Sequence, residues 1–256
     1  MISLSVVNYY MGPEGWSFTP GPGVVPDPIH GARLLSDVYA ADGRPFHSAT
    51  TPVLWDRQTA RIVSNESADI SRMFNAAFDA VLEERGEHPG TGGPMALDLY
   101  PRELRKEIDA FEQRLYDALN NGVYKAGFSS TQAAYDEAVQ GVFDMLDELE
   151  RTLSQKRFLC GKYLTELDIR LFVTLIRFDA AYVGHFKCNK KRLVDYPVLF
   201  AYTRDLYQWP GVRPTVDLLH VKHHYYESHP KLDPTRIVPV GPELDFEAPP
   251  GRESLP

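Results

Sequence analysis

The chain has 256 residues, of which 43% are hydrophobic and 24% charged; this is an ordinary globular composition, with room for one large domain or two modest ones. A formal net charge of −8 argues against nucleic acid as the main partner, because phosphate binding needs a basic surface. No apolar run approaches membrane-spanning length, residues 1–7 lack a basic start and a cleavage site, and the only cysteines, Cys160 and Cys188, make no disulfide framework, so the expected compartment is the cytoplasm.

Residues 3–10 are β-branched and aromatic-rich and predict a strand, broken by Gly12-Pro13-Glu14-Gly15. A Pro/Gly loop over 20–28 leads into a helix-like stretch over 29–41. Thr51-Pro52-Val53-Leu54-Trp55 predicts a short strand, and Arg61-Ile62-Val63 pairs back after a turn at 56–59. Residues 67–81 predict one helix, because Ile70, Met73, Phe74, Ala77, Phe78 and Val81 share a face. The Gly- and Pro-rich stretch 86–94 cannot hold regular structure and reads as a linker.

Beyond it the chain turns helical. One helix is expected over 103–121, stopped by Asn120-Asn121-Gly122. A second, over 131–153, buries Val142, Leu146, Leu149 and Leu153 and turns its acidic run 144–150 to solvent. A third begins near Thr165, and two more cover 195–208 and 212–226, split by Pro210-Gly211. From Pro230 on, a proline-rich tail can be ordered only by lying on the rest. The boundaries read from this are a small α/β part over 1–84, a linker over 85–100, a helical domain over 101–229 and an extended tail over 230–256.

Three motifs bear on function. Thr51-Pro52 precedes a strand, where a cis proline can turn the preceding backbone groups toward a ligand. In Ser64-Asn65-Glu66-Ser67, Asn65 or Ser67 suits an N-cap, and the free N–H groups of the helix start favour a carboxylate. Leu164-Thr165-Glu166-Leu167-Asp168-Ile169 has a capping-box spacing with Asp in the acid position, a structural rather than a catalytic device. His220 and His224 are four apart on a helix, but without a zincin glutamate they read as a polar face, and no metal is expected.

These motifs, in this order and across a linker, resemble those of glutathione transferases. The resemblance narrows on Gly15-Trp16-Ser17-Phe18, Thr51-Pro52-Val53-Leu54-Trp55-Asp56, Ser64-Asn65-Glu66-Ser67, Asn120-Asn121-Gly122-Val123-Tyr124-Lys125-Ala126-Gly127-Phe128, Gly184-His185-Phe186-Lys187-Cys188-Asn189-Lys190 and His223-His224-Tyr225-Tyr226. Together they resemble glutathionyl-hydroquinone reductases, the Xi class, over nearly the whole chain. The resemblance implies a thioredoxin-like α/β N-terminal domain lacking its first β-α unit, followed by an all-α C-terminal domain.

It also implies roles. Trp16 would pack on glutathione, and Ser48, Ala49, Thr50 and Thr51, leading into Pro52, would hydrogen-bond its cysteinyl part. Glu66 and Ser67 would hold the γ-glutamyl ammonium and carboxylate. The tyrosine matching Tyr124 exchanges a proton with the hydroquinone, while those matching Tyr182 and Tyr225 point their hydroxyls at the catalytic sulfur. Glutathione is then a co-substrate, an aromatic glutathionyl-hydroquinone the substrate, and the assembly a homodimer. In that family a cysteine of a Cys-Pro-Trp-Ala motif attacks the substrate's sulfur; the hydroquinone leaves, and a second glutathione resolves the mixed disulfide. The motif is absent from these 256 residues, and roughly 30 residues, a βα unit, are expected before the first strand seen here. Cys160 reads as a small buried apolar residue. Cys188 has lysines around it that favour thiolate but sits where the family keeps a non-nucleophilic cysteine. As the sequence stands, an inactive chain is therefore expected. The alternative is a non-catalytic glutathione-transferase-like binding protein.

Overall fold

A computed structural model describes residues 2–85 and 98–256, so the expected linker at 86–94 lies outside the described residues. The chain gathers into two compact units. One comprises Met1–Ala96 with Leu219–Pro230 and Thr235–Val238, the other Leu97–Leu218 with Lys231–Pro234 and Pro239–Pro256.

In the first unit, helix α1 (Leu35–Ala41) is followed by an antiparallel pair, β1 (Leu54–Asp56) and β2 (Arg61–Ser64). The turn between the strands forms because Asp56 caps it, accepting from the Gln58 N–H at 2.9 Å and the Thr59 hydroxyl at 2.7 Å. Buried Asp42, just past α1, accepts the Ile62 N–H at 2.8 Å and so ties the helix to β2. Phe18, Leu35, Val38 and Tyr39 form the core, with Val7, Trp16, Ala49, Val53, Trp55 and Ile62 packed against it. The expected helix over 29–41 starts only at Leu35, because Asp27 turns the preceding chain by accepting from the N–H groups of Ile29, His30 and Ala32.

Two further expectations are corrected here. The expected helix over 67–81 is two, α2 (Ser67–Ala76) and α3 (Asp79–Glu84), because Phe78 leaves helical geometry at φ −104°, ψ 0°. Its apolar spacing runs across that break unchanged, so periodicity cannot register it. The expected strand over 3–10 is extended chain with a single bridge, Val6 to Val25. Besides that pair and the bond from the Asn8 N–H to the Ser17 carbonyl at 2.7 Å, its backbone is served by side chains. Helix α9 (Leu218–Ser228) brings the His220 ring to the Val7 carbonyl at 3.3 Å and the His224 ring to the Tyr9 carbonyl at 2.9 Å. The Ser228 hydroxyl donates to the same Tyr9 carbonyl and accepts the Met11 N–H. Through these bonds α9, placed by sequence with the helical domain, clusters with the first unit.

The second unit is helical: α4 (Arg105–Leu115), α5 (Gly122–Gly127), α6 (Gln132–Leu153), α7 (Glu166–Arg177) and α8 (Pro197–Tyr207). The anticipated 103–121 helix gives way at Leu115 to a π-helical turn, Tyr116–Asn120, and Asn120-Asn121-Gly122 starts α5 instead of stopping α4. The wider turn aims Asn120 inward, where its amide donates to the Arg170 carbonyl at 2.9 Å and the Thr174 hydroxyl at 2.6 Å on α7. Gly122 packs closely on α6: a β-carbon there would lie 3.1 Å from the Cγ2 of Val142, which would have to give. Helix α6 buries Val142, Leu146, Leu149 and Leu153 as expected. Its acidic run is not simply solvated, however. Asp147 accepts the Tyr196 hydroxyl, and Glu150 accepts the N–H groups of Val198 and Leu199 at the start of α8.

The capping box at Thr165 is present, and it is buried. Asp168 accepts from the Thr165 N–H and hydroxyl, the Leu159 N–H and the Tyr202 hydroxyl, at 2.8–3.0 Å. Burial pushes the Asp168 carboxyl up, against the pull of these four donors. The chain after α9 has no regular element and lies on the helices through Arg252 and Phe246, both buried. The Arg252 guanidinium donates to the carbonyls of Leu153, Lys156 and Arg157 at the end of α6. No helix among the described residues is long and apolar enough to cross a membrane.

Candidate functional site

In the first unit the two ligand motifs meet. The Thr51–Pro52 peptide is cis. The segment before it is anchored by the buried Tyr39, whose hydroxyl donates to the Thr50 carbonyl at 2.8 Å. Across from it, the Asn65 amide donates to the Thr50 hydroxyl at 3.1 Å, joining the 48–52 loop to the start of α2. Because Asn65 is used this way, it does not cap the helix. The N-cap is Glu66, extended at φ −88°, ψ 116°, with no side-chain cap hydrogen bond. The N–H groups of the first turn of a helix have no partner within it, and Glu66 and Ser67 at this uncapped start are exposed. Ser48, Thr50, Thr51, Glu66 and Ser67 are all exposed and Ala49 is half-buried. An exposed carboxylate beside a row of free helix N–H groups is suited to an amino-acid head, with the ammonium on Glu66 and the carboxylate on the N–H row.

Trp16 lies in the same unit, with one indole face stacked on His224 at 4.8 Å and 28°. Tyr225, next to it on α9, is buried against the rings of His224 and His229. The expected polar face of His220 and His224 is therefore turned onto backbone carbonyls and an indole, not to solvent.

In the second unit Tyr124 and Tyr182 come together, 58 positions apart in sequence, with ring centroids at 6.1 Å. Phe186 organises them: it stacks on Tyr182 at 5.5 Å and 13°, and meets Tyr124 edge-on at 5.1 Å. Tyr182 is 3% exposed while Tyr124 is 38% exposed, so Tyr124 is the one open to a ligand. A second π-helical turn, Phe178–Tyr182, positions Tyr182; sequence periodicity gave no sign of it.

The thiols lie elsewhere. Burial pushes Cys188 up to about 12, with Lys187 pulling weakly the other way, and burial likewise pushes Cys160 up to about 11. The lysines around Cys188 are outweighed by burial, because the side chain points into the core, in keeping with its reading as a non-nucleophilic cysteine. Among the described residues Asp109, Glu112 and Glu166 bring ligand atoms within 4.8 Å of one another. Sequence reasoning missed this group, which spans two helices. The Tyr100 hydroxyl donates to Asp109 and Arg170 pairs with Glu112 at 2.9 Å, the marks of a structural ion network.

The small α/β unit with its cis-proline loop and the helical unit with its buried capping box define a glutathione-transferase fold, thioredoxin-like and then all-helical. Residues 132–205 match the family described as glutathione S-transferase, C-terminal domain. The chain is 52% identical over 243 residues to the glutathionyl-hydroquinone reductase PcpF of Sphingobium chlorophenolicum, covering 94% of this chain and 74% of that protein. It matches the glutathione-bound structure of YqjG, a glutathione transferase homologue from Escherichia coli K-12, with TM-score 0.90 and 47% identity, over 98% of this chain and 78% of that one. A Xi-class transferase from Natrialba magadii matches with TM-score 0.91 and 42% identity, over 99% of this chain and 75% of the other. The chain belongs to the glutathionyl-hydroquinone reductase family, the Xi class of the glutathione transferases.

Proposed function

We propose that the chain binds glutathione on the 48–52 loop and the start of α2, and serves the glutathione-dependent reduction of aromatic glutathionyl-hydroquinones to hydroquinones. The observation that carries this reading is the hydrogen bond from Asn65 to Thr50, which sets the cis-proline loop beside the uncapped helix start. A tripeptide there would run its backbone along Ser48, Ala49, Thr50 and Thr51, place its γ-glutamyl ammonium on Glu66 and lay its carboxylate on the N–H groups at Ser67. Trp16 would pack on it. A glutathione-bound relative of the same fold supports the ligand, and the name of a relative at 52% identity supports the substrate class. Tyr124, the exposed tyrosine, is the proton donor to the departing hydroquinone. Tyr182 and Tyr225 are assigned to the sulfur.

The nucleophilic step belongs to neither thiol of the 256 residues. A thiol held at about 11 or 12 is almost wholly protonated at neutral pH, and the attacking species is the thiolate. The sequence as it stands is therefore expected to bind without turning over. A homodimer with cytoplasmic placement completes the proposal, on the strength of the family.

Calorimetry with glutathione on the wild type, Glu66→Gln and Ser67→Ala tests the site. Weaker binding by both variants is expected, and equal binding by all three overturns the assignment. Turnover of a glutathionyl-hydroquinone by the 256-residue chain, abolished by Cys188→Ser, would move the active site to Cys188.

A further inference from the structure

The imidazole of His224 occupies a point where three elements meet. Its Nδ1–H donates to the Tyr9 carbonyl at 2.9 Å. Its flat face lies on Trp16, centroid to centroid 4.8 Å at 28°. Its edge meets Tyr225 at 5.2 Å and 68°. The ring is half-buried, as is the indole it covers. Among the described residues the Trp16 backbone is held by the bond from the Leu35 N–H to its carbonyl, at 2.9 Å, and the indole packs against the core of Phe18, Leu35, Val38 and Tyr39; neither contact is a directional one that fixes the plane of the ring.

The hydrogen bond and the stack do different work. Tyr9 does not depend on His224 for its carbonyl, because the Ser228 hydroxyl donates to the same oxygen at 3.2 Å. Among the described residues His224 is the ring stacked on the indole, whose other support is packing against the core cluster. An offset stack between two flat rings is a directional contact that fixes the plane of each. From this we propose that His224 is a positioning residue for glutathione binding: it sets the plane of the Trp16 indole, so that the face not covered by the imidazole is presented to the ligand. Tyr225, meeting the edge of the imidazole at 5.2 Å and 68°, holds its plane, while the hydrogen bond to Tyr9 serves the main chain. This rests on the reading of Trp16 as a glutathione contact.

Two substitutions separate the functions of the ring. His224→Phe keeps a flat ring for the stack and loses the donor to Tyr9. His224→Gln keeps an amide donor and loses the flat ring. Each is made in the 256-residue chain and read by calorimetry with glutathione, by thermal unfolding, and by the tryptophan emission assigned to Trp16 by comparison with Trp16→Phe. The proposal expects His224→Phe to bind as wild type does, and His224→Gln to bind about three- to tenfold more weakly, the scale of one aromatic pair. The Trp16 emission should shift in the glutamine variant and less in the phenylalanine variant. Stability should not follow affinity, since the phenylalanine variant, the better binder, is the one that loses the hydrogen bond. Ser67→Ala is the control for the site. If it weakens binding while His224→Gln does not, or if both His224 variants lose affinity equally, the positioning role is overturned and the glutathione site stands. If Ser67→Ala binds as wild type, or the wild type does not bind, the site is misassigned and the positioning role falls with it.

Discussion

A β-carbon on Gly127 would stand 2.2 Å from the Cδ1 of Phe186. The ring has nowhere to retreat, being fully buried, stacked on Tyr182 and edge-on to Tyr124 and Phe128. Gly127→Ala must therefore displace the ring that holds Tyr124 and Tyr182 together. Overpacking of this kind costs about 1–3 kcal/mol, offset in part by the higher helix propensity of Ala, by up to about 1 kcal/mol. Urea unfolding should show a net loss. Adding Phe186→Leu should cost less in the Gly127→Ala background than in the wild type, a coupling a double-mutant cycle reads directly. A Gly127→Ala chain as stable as the wild type contradicts the contact.

Asp168 should be the most sensitive single carboxylate of the helical unit. Replacing it by Ala leaves the Leu159 and Thr165 N–H groups and the Thr165 and Tyr202 hydroxyls without their acceptor, all in the interior. Each stranded donor costs about 1–3 kcal/mol, so a loss of at least ~3 kcal/mol is expected in denaturant unfolding. Tyr202→Phe removes one donor and keeps the carboxylate, and should cost much less. Similar losses in the two variants would mean that the box is not the centre of the network.

The two thiols make a pH prediction. Cys188 titrates at about 12 in the folded chain, against about 8.5 when unfolded. Between those values the unfolded state has released a proton that the folded state keeps, so stability falls as pH rises. The contribution is complete below pH ~8.5 and lost on the way to ~12. Unfolding free energies measured from pH 8 to 10.5 should drop, and the slope should be shallower in Cys188→Ala. Alkylation at pH 8 should be slow at Cys160 and absent at Cys188 until denaturant is added; rapid native-state labelling of Cys188 would refute its burial.

Arg252 closes the carboxyl end of α6 with hydrogen bonds to Leu153, Lys156 and Arg157 carbonyls. Arg252→Ala should cost about 2–4 kcal/mol, since hydrogen bonds from charged donors are worth about 1.5–3 kcal/mol each but water replaces part of them. Amide exchange should quicken at the end of α6 and in the loop after it, and stay unchanged in α2. Uniform quickening through the chain would show a global effect instead of a lost cap.

Much of this was legible in the sequence. The capping box at Thr165 and the α6 stripe follow from residue types at fixed spacings, which report local geometry faithfully, whereas Thr51-Pro52 by itself reads as an ordinary proline and its cis form is expected only through the resemblance. What was not legible arises from contacts distant in sequence. Residues 3–10 look like a strand because β-branched residues favour extended chain, but no residue type there says that α9 side chains will take the place of a ladder. Asn120-Asn121-Gly122 has the composition of a helix stop, yet Asn120 is an anchor whose partners on α7 lie about 50 positions on. Cys188 shows the same limit: its charged neighbours are visible in sequence, and the burial that outweighs them is not. The residues proposed for glutathione rest on resemblance, because an exposed Glu-Ser pair at a helix start is locally no different from any other.

The bonds between α9 and residues 7–11 also impose an order in time. His224 and the Tyr9 carbonyl it serves are 215 positions apart, which at about 5–20 residues per second is roughly 10–40 s of synthesis. Throughout that interval the early segment hydrogen-bonds to water, and the indole of Trp16 lacks the ring that will cover it. The first unit to begin leaving the ribosome thus waits for a helix made after α4 to α8, and a chaperone that holds residues 2–16 extended until α9 arrives would be acting on that wait.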